Sequence, residues 1–305
     1  MNKKMNVILI GVICLTTQLF SASGTSVVAF SKVSPSARAS GMAEAFVGLA
    51  DDSSAIWYNP AGLTKISKLS VGGTYGMLFE GLNFQYVSVA YPMNIGVVGG
   101  SIVMTDYGSI KGYDALGNPT EDFSAKDMML SGGFAYKLQP NLSIAAVAKF
   151  VHSTIEKKSN STISLDAGVM YVLDANTSLG LVLKNVIGSI KYDEKSSNLP
   201  MLIKAGMSYN VGHVIGTDDI LMLLADITND SEVGTVIQPA AELLYPLGTT
   251  ELIVRAGYKT GGGPSGTGLT VGASVRIQHQ YRVDVSYTPL GELGNAIRVG
   301  LELQF

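Results

Sequence analysis

Cysteine is nearly absent: the 305 residues hold one, Cys14, inside an apolar stretch close to the start. Once that stretch is removed as a leader, no thiol remains, which excludes disulfides, cysteine-ligated metals and a cysteine nucleophile. Charge is scarce too. It makes up 15% of residues and nets −3 with no basic stripe, so nothing points to a nucleic-acid surface. Beyond the first 23 residues no run approaches the roughly 20 apolar residues of a spanning helix, although 47% of the chain is hydrophobic. The histidines His152, His213 and His279 are far apart, lack metal-ligand spacing and read as residues of turns or strand ends. Glycine-rich 261–266 lacks the lysine and helix of a phosphate loop and reads as a flexible connection. No Ser/His pair is set up in any segment. The chain is therefore expected to be no enzyme, with no cofactor and no metal site.

What is present begins with Lys3 and Lys4, an apolar run over 7–15, polar Thr16, Thr17 and Gln18, and small Ser21, Ala22 and Ser23. That is the layout of a cleaved secretory signal. It divides the chain into a signal over 1–23, an amino-terminal segment over 24–68, and a remainder over 69–305. An exported chain this apolar, with no spanning helix, has one home. Closed β-barrels are the other structure that satisfies every backbone donor and acceptor inside lipid, so the expected location is the outer membrane.

From residue 69 onward the sequence alternates with a period of two. In the last segment Ile297, Val299, Leu301, Leu303 and Phe305 oppose Arg298, Gly300, Glu302 and Gln304. The same pattern sets Leu269, Val271, Ala273, Val275 and Ile277 against Thr270, Gly272, Ser274, Arg276 and Gln278. A charge facing lipid near mid-membrane costs about 2–4 kcal/mol, whereas a watered lumen tolerates it, so the polar side is the inside. Tyr245, Tyr258, Tyr281 and Tyr287, near segment ends, suit interfacial girdles. Fourteen segments are expected: 69–79, 82–91, 95–105, 125–137, 142–153, 162–172, 177–188, 200–209, 219–228, 234–245, 250–259, 268–277, 281–288 and 295–305. Tight connections alternate with longer ones at 106–124, 154–161, 189–199 and 260–267, which puts both chain ends on the periplasmic side. Two connections break the rule, 210–218 by its length and Glu80-Gly81 by its brevity. The predicted fold is an all-β transmembrane antiparallel barrel of about 14 strands, with a short amino-terminal helical plug.

In that plug, Ala39, Met42, Ala43, Phe46, Val47 and Ala50 recur at three- and four-residue spacing, which predicts a short helix after Pro35. It should stop at Asp51-Asp52-Ser53-Ser54, whose short polar side chains compete for the backbone. Asn59-Pro60-Ala61-Gly62 predicts a tight turn. A helix too short to span belongs in the barrel's mouth.

Three stretches here carry a resemblance: Ser36-Ala37-Arg38-Ala39-Ser40-Gly41-Met42, Ala45-Phe46-Val47-Gly48-Leu49-Ala50-Asp51-Asp52-Ser53-Ser54-Ala55 and Trp57-Tyr58-Asn59-Pro60-Ala61-Gly62-Leu63. They resemble the amino-terminal signature of the PorV/PorQ family and, more distantly, the FadL family of outer-membrane transport proteins. The resemblance implies a fourteen-stranded barrel whose amino-terminal segment enters the lumen. It also implies passage of fatty acids and other hydrophobic molecules, as in FadL relatives, or a docking role in type IX secretion, as in PorV relatives. The expected ligand and gating residues are Asp51, Asp52, Trp57, Asn59, Pro60 and Gly62. Arg255, Arg276, Arg282, Asp284, Arg298 and Glu302, from four nearby strands, are expected either to form a lumen charge network facing the plug or to be solvated wall residues with no specific partner. Val182, Leu224 and Ile253 add apolar character to the inward face. The expected partners are outer-membrane lipid, a small hydrophobic molecule or secretion-system proteins, and the barrel-assembly machinery through the last strand and Phe305.

Overall fold

The computed structural model describes residues 33–305 apart from 79–80, 115, 193–194, 217, 231–233, 261–267 and 292–293. The expected signal with Cys14, the start of the amino-terminal segment, Glu80 and the glycine-rich connection at 261–266 lie outside the described residues. Backbone hydrogen bonding follows the alternation closely. The strands are β1 (Ser70–Met77), β2 (Asn83–Met93), β3 (Gly96–Ile110), β4 (Phe123–Gln139), β5 (Leu142–Ile155) and β6 (Lys158–Val172). They continue as β7 (Thr177–Ile187), β8 (Ser189–Tyr192), β9 (Lys195–Asn198), β10 (Leu202–Gly212) and β11 (Ile220–Asp230). The last are β12 (Gly234–Leu247), β13 (Thr250–Lys259), β14 (Gly268–Ile277), β15 (Tyr281–Pro289) and β16 (Asn295–Gln304). All but β8 and β9 close into one fourteen-stranded barrel in which each strand pairs antiparallel with its neighbours and β1 seals against β16. Closure leaves no unpaired edge, the condition for backbone in lipid.

Each expected segment has its strand, because the period of two sorts side chains between two solvents. On β16, Arg298 and Glu302 are buried while Ile297, Val299 and Leu301 are more than 40% exposed. An apolar side chain exposed all round the outer wall is what lipid contact requires. Tyr245, Tyr258, Tyr281 and Tyr287 all face outward. No described helix is long and apolar enough to cross a membrane.

Short connections cluster at one end with the chain terminus of β16, and longer ones at the other; we refer to them as the turn end and the loop end. Two details differ from expectation at the loop end. Strands β3 to β6 run on beyond the apolar band, so 154–161 is no long connection but a two-residue turn at Glu156 and Lys157. Backbone pairing needs no apolar side chain, and polar Asp106, Lys126, Thr154 and Ser159 continue the ladder. The connection after β7 carries a separate hairpin, β8 paired with β9. At the turn end the long exception between β10 and β11 is organised by Asp219, which accepts the backbone N–H groups of Val214, Ile215 and Gly216 at 2.7–3.0 Å.

The amino-terminal segment lies inside the barrel, packed across its middle rather than seated at a mouth. Met42, Phe46, Ala50, Ile56, Leu63 and their neighbours are almost fully buried and form the apolar centre of the molecule. Its predicted helix is one turn only, α1 (Ala37–Ser40). Beyond it, Ala43 and Glu44 take positive φ and leave the helix. The wall supplies the bonds a helix would have made: Thr270 accepts the Ala43 N–H at 2.8 Å, and one Asp226 oxygen accepts those of Phe46 and Val47 at 2.9 Å. The helical spacing of Met42, Phe46 and Ala50 thus records packing on the wall. A second short helix, α2 (Ala55–Tyr58), and a 3₁₀ segment at Pro60–Lys65 follow.

Inward-facing glycines make room for this segment. A Cβ on Gly257 would stand 2.4 Å from the Met42 carbonyl carbon, and one on Gly180 2.3 Å from the Val47 oxygen. Gly168, Gly206, Gly272 and Gly300 abut the segment in the same way.

Candidate functional site

The lumen holds two charged groupings on opposite halves of the buried segment. In the first, towards the turn end, Asp52 heads α2 and Arg38 lies in α1, which brings both against the wall. Six charges alternate in a closed ring. Arg38 pairs with Glu242 (2.8 Å), Glu242 with Arg255 (2.5 Å) and Arg255 with Asp284 (3.1 Å). Asp284 pairs with Arg282 (2.9 Å), Arg282 with Asp52 (2.7 Å), and Asp52 closes on Arg38 (3.2 Å). Asp51 adds a second acid to Arg38 at 2.5 Å. Burial by itself would raise the Asp52 carboxyl, but the facing Arg282 and Arg38 outweigh it and hold the group at about 2. Glu302 completes the contact, accepting from the Ser53 N–H at 2.9 Å, the Ser53 hydroxyl at 2.8 Å and the Ser70 hydroxyl at 2.5 Å.

Of the six wall charges expected to face the segment, Arg255, Arg282 and Asp284 join the ring and Glu302 touches the segment directly. Arg298 donates to the Ser34 carbonyl at 3.0 Å and stacks on Phe84. Arg276 does not take part: it pairs with Glu251 near the turn end, where His279 also meets Glu251 at 3.2 Å. Alternation gives the side a residue faces but not its depth, and Arg276 lies too near the rim to reach the segment. Arg38 and Glu242, which make a further link between segment and wall, were absent from the expectation. Glu242 shares the inward face of β12 with Gln238, which was the available signal.

The expected turn forms at Asn59, whose side-chain oxygen accepts the Ala61 N–H at 3.1 Å while its amide donates to the Val47 and Val169 carbonyls. Pro60 opens the 3₁₀ segment. Gly62 has no room for a side chain, since a Cβ there would fall 2.0 Å from the Ala50 oxygen. Trp57 is nearly buried and meets Tyr86 edge-on, with ring centroids 6.5 Å apart.

Trp57 also belongs to the second grouping, towards the loop end. The Lys184 ammonium stands 4.2 Å over its ring. Lys184 faces inward in phase with Val182 on β7, just before a bulge where the β6–β7 register shifts and Asn185 takes positive φ. Asn185 is fixed by its N–H to Asp166 at 2.8 Å and its amide to the Pro200 carbonyl at 2.7 Å. Lys149 fills out this support, 2.5 Å from Asp166. Lys204 lies diagonally across from Lys184, since Lys184 pairs with Leu202 and Val182 with Lys204. Both lysines are 6% exposed and make no direct ion pair among the described residues; the acids that act on them from further off are Asp166 and Glu44 on Lys184, and Glu44 and Asp226 on Lys204. Buried Leu199, Leu202, Val182 and Leu224 surround them on the inner wall. Nothing in the composition or the alternation singled these lysines out.

No protein-family model matches the sequence, nor does any curated protein. Solved structures do match. The CymD monoaromatic hydrocarbon channel superposes with a TM-score of 0.60 at 11% identity, covering 90% of this chain and 98% of that one. A Pseudomonas aeruginosa FadL homologue gives 0.58 at 11% identity, covering 90% and 99%. The Ralstonia pickettii toluene transporter TbuX gives 0.57 at 13% identity, covering 87% and 98%. The chain therefore shares the fold of FadL-type hydrophobic-compound channels, a closed fourteen-stranded antiparallel barrel.

Proposed function

We propose that this chain is an outer-membrane barrel that binds and passes small hydrophobic molecules with an acidic, fatty-acid-like end. The observation that carries this is the pair of buried lysines, Lys184 over the Trp57 ring and Lys204 diagonally across from it, that make no direct ion pair among the described residues and lie beside an apolar inner wall. A buried ammonium with no direct partner costs several kcal/mol, and ionisable groups kept at membrane depth mark ligand pathways. An anionic head would satisfy both lysines while its tail lies along Leu199, Leu202 and Leu224. The solved neighbours include channels and transporters for aromatic hydrocarbons, which is the same apolar ligand class without the charge.

In this reading the amino-terminal segment is the gate, with Asp51 and Asp52 its latch, Asn59, Pro60 and Gly62 the rigid turn behind Trp57. The carboxy-terminal strand, whose Phe305 N–H closes on the Leu69 carbonyl at 2.9 Å, presents the barrel-assembly signal.

A fluorescent fatty acid bound to the detergent-solubilised barrel tests the ligand site. Lys184→Met with Lys204→Met should weaken binding roughly tenfold or more, the loss of a charge-assisted contact. Unchanged affinity would sink the assignment. The gate is tested separately by Ala37→Cys with Gly300→Cys, because the Gly300 Cβ would lie 3.2 Å from that of Ala37, close to disulfide spacing. Uptake into liposomes should stop on oxidation and return on reduction; passage through the locked barrel would refute a moving gate.

A further inference from the structure

The outer wall of β2 to β6 changes character near the loop end, strand by strand. On β2 the outward side chains step from Val87 to Gln85 to Asn83, on β3 from Ile102 to Met104 to Asp106, and on β4 from Leu130 to Met128 to Lys126. On β5 they step from Phe150 to His152 to Thr154, and on β6 from Ile163 to Ser161 to Ser159. Each strand thus passes from apolar through mixed to polar within five residues, which marks the outer boundary of the lipid band on this side. At that boundary the outer wall carries an open depression of about 610 Å³. Tyr75, Met104 and Met128 give it an apolar side, and Gln85, Asn83, Asp106, Lys126, His152 and Thr154 a polar one.

The polar lining is near neutral and rich in groups that both give and accept hydrogen bonds. Lys126 is already paired with Asp106 at 3.3 Å, and the Tyr107 hydroxyl donates to Asp127 at 2.8 Å. The imidazole of His152 bonds to Ser161 at 2.8 Å and to Thr154 at 3.3 Å. The lining offers a phosphate one lysine, Lys126, beside two carboxylates, Asp106 and Asp127. Vicinal hydroxyls of a sugar match carboxylate, amide and imidazole directly, and a sugar's apolar face matches Tyr75 and the methionines.

We propose that this depression binds the sugar headgroup of an outer-leaflet glycolipid, its acyl chains lying along Val87, Leu130 and Phe150. The site is on the outside of the barrel, apart from the lumenal lysines. It depends on the outer-membrane placement but not on the transport reading.

The test is native mass spectrometry of the detergent-purified barrel with rough-type lipopolysaccharide and, in a second arm, phosphatidylglycerol. The wild type should retain the glycolipid, and Gln85→Leu with His152→Leu should retain it roughly tenfold less, a buried hydrogen bond or two. Phosphatidylglycerol adducts should be equal in both. Tyr245→Leu, a lipid-facing change at the other end, and Lys184→Met should leave glycolipid retention intact, which separates this site from the lumenal one. Equal glycolipid retention by wild type and double variant overturns the proposal, as does a wild type that prefers phosphatidylglycerol. A heat-modified gel shift confirms folding; should the double variant lose it, Asn83→Leu with Thr154→Val carries the same expectation.

Discussion

The two halves of the lumen solve the problem of buried charge in opposite ways. Towards the turn end, three arginines and three acids alternate in a closed ring, so every charge has two opposite neighbours. Towards the loop end, Lys184 and Lys204 face the segment with no such partners among the described residues. Balanced charge of the first kind joins the segment to the wall and asks for nothing else. Charge of the second kind, met only at a distance by Glu44, Asp166 and Asp226, is a cost that the proposed ligand would relieve. The contrast assigns holding to one half and binding to the other, and each of the following substitutions is a way to break it.

The largest effect should come from Arg38→Met. It removes the residue shared by Asp51, Asp52 and Glu242, and breaking buried pairs from one side costs about 3–5 kcal/mol. Urea unfolding in micelles, followed by the heat-modified gel shift, measures it. A loss below about 1 kcal/mol, the size of an exposed pair, would show that the ring holds nothing. Gly257→Leu comes next, since its side chain must enter the Met42–Ala43 backbone. Overpacking costs about 1–3 kcal/mol where the neighbours can move, and here those neighbours are the segment itself. The segment should become sensitive to protease in the folded barrel, and resistance equal to wild type would contradict the packing.

Acid separates the halves more gently. Asp52 is held at about 2 in the folded protein by Arg282 and Arg38, below its ordinary value near 4. A folded-state value below the unfolded one stabilises fully above about pH 4 and is lost as pH falls from 4 towards 2, worth about 2 kcal/mol. The stability gap between wild type and Asp52→Asn should therefore shrink across that window. A gap that is constant from pH 6 to pH 2 would mean that the carboxylate is not the latch.

How much of this could be seen in the sequence follows from which physical pattern each feature leaves. Lipid outside and a polar lumen inside impose a period of two, and β13 and β14 begin and end where that period places them. The amino-terminal segment meets one solvent only, the packed interior, and leaves no such trace. Its three- and four-residue spacing resembled a helix, whereas Thr270 and Asp226 take the backbone bonds a helix would have used. For the site, alternation put Arg282, Asp284, Arg255 and Glu302 inside. It could not say that Arg276 ends near the rim with Glu251, or that Arg38 is the partner contributed by the segment. Alternation also put Lys184 inside, in phase with Ser178, Gly180 and Val182, but its place over Trp57 depends on the path of the segment, which a period of two does not record.

The smallest effect on stability, and the sharpest on the comparison, is expected from Lys184→Met. Methionine keeps the apolar stem against Trp57 and removes the charge, so the barrel should lose no stability and gain on the order of 1 kcal/mol. Arg38→Met, chemically the same exchange of a buried cation for a thioether, should cost several times that in the other direction. Ligand affinity should respond the other way round: weakened by Lys184→Met and, as long as the segment stays seated, untouched by changes in the ring. Measured side by side on urea midpoints and fatty-acid binding, the two substitutions should fall in opposite corners. A Lys184→Met barrel that is destabilised as much as Arg38→Met would place both lysines and ring in a single structural network, and the division of the lumen into a holding half and a binding half would be wrong.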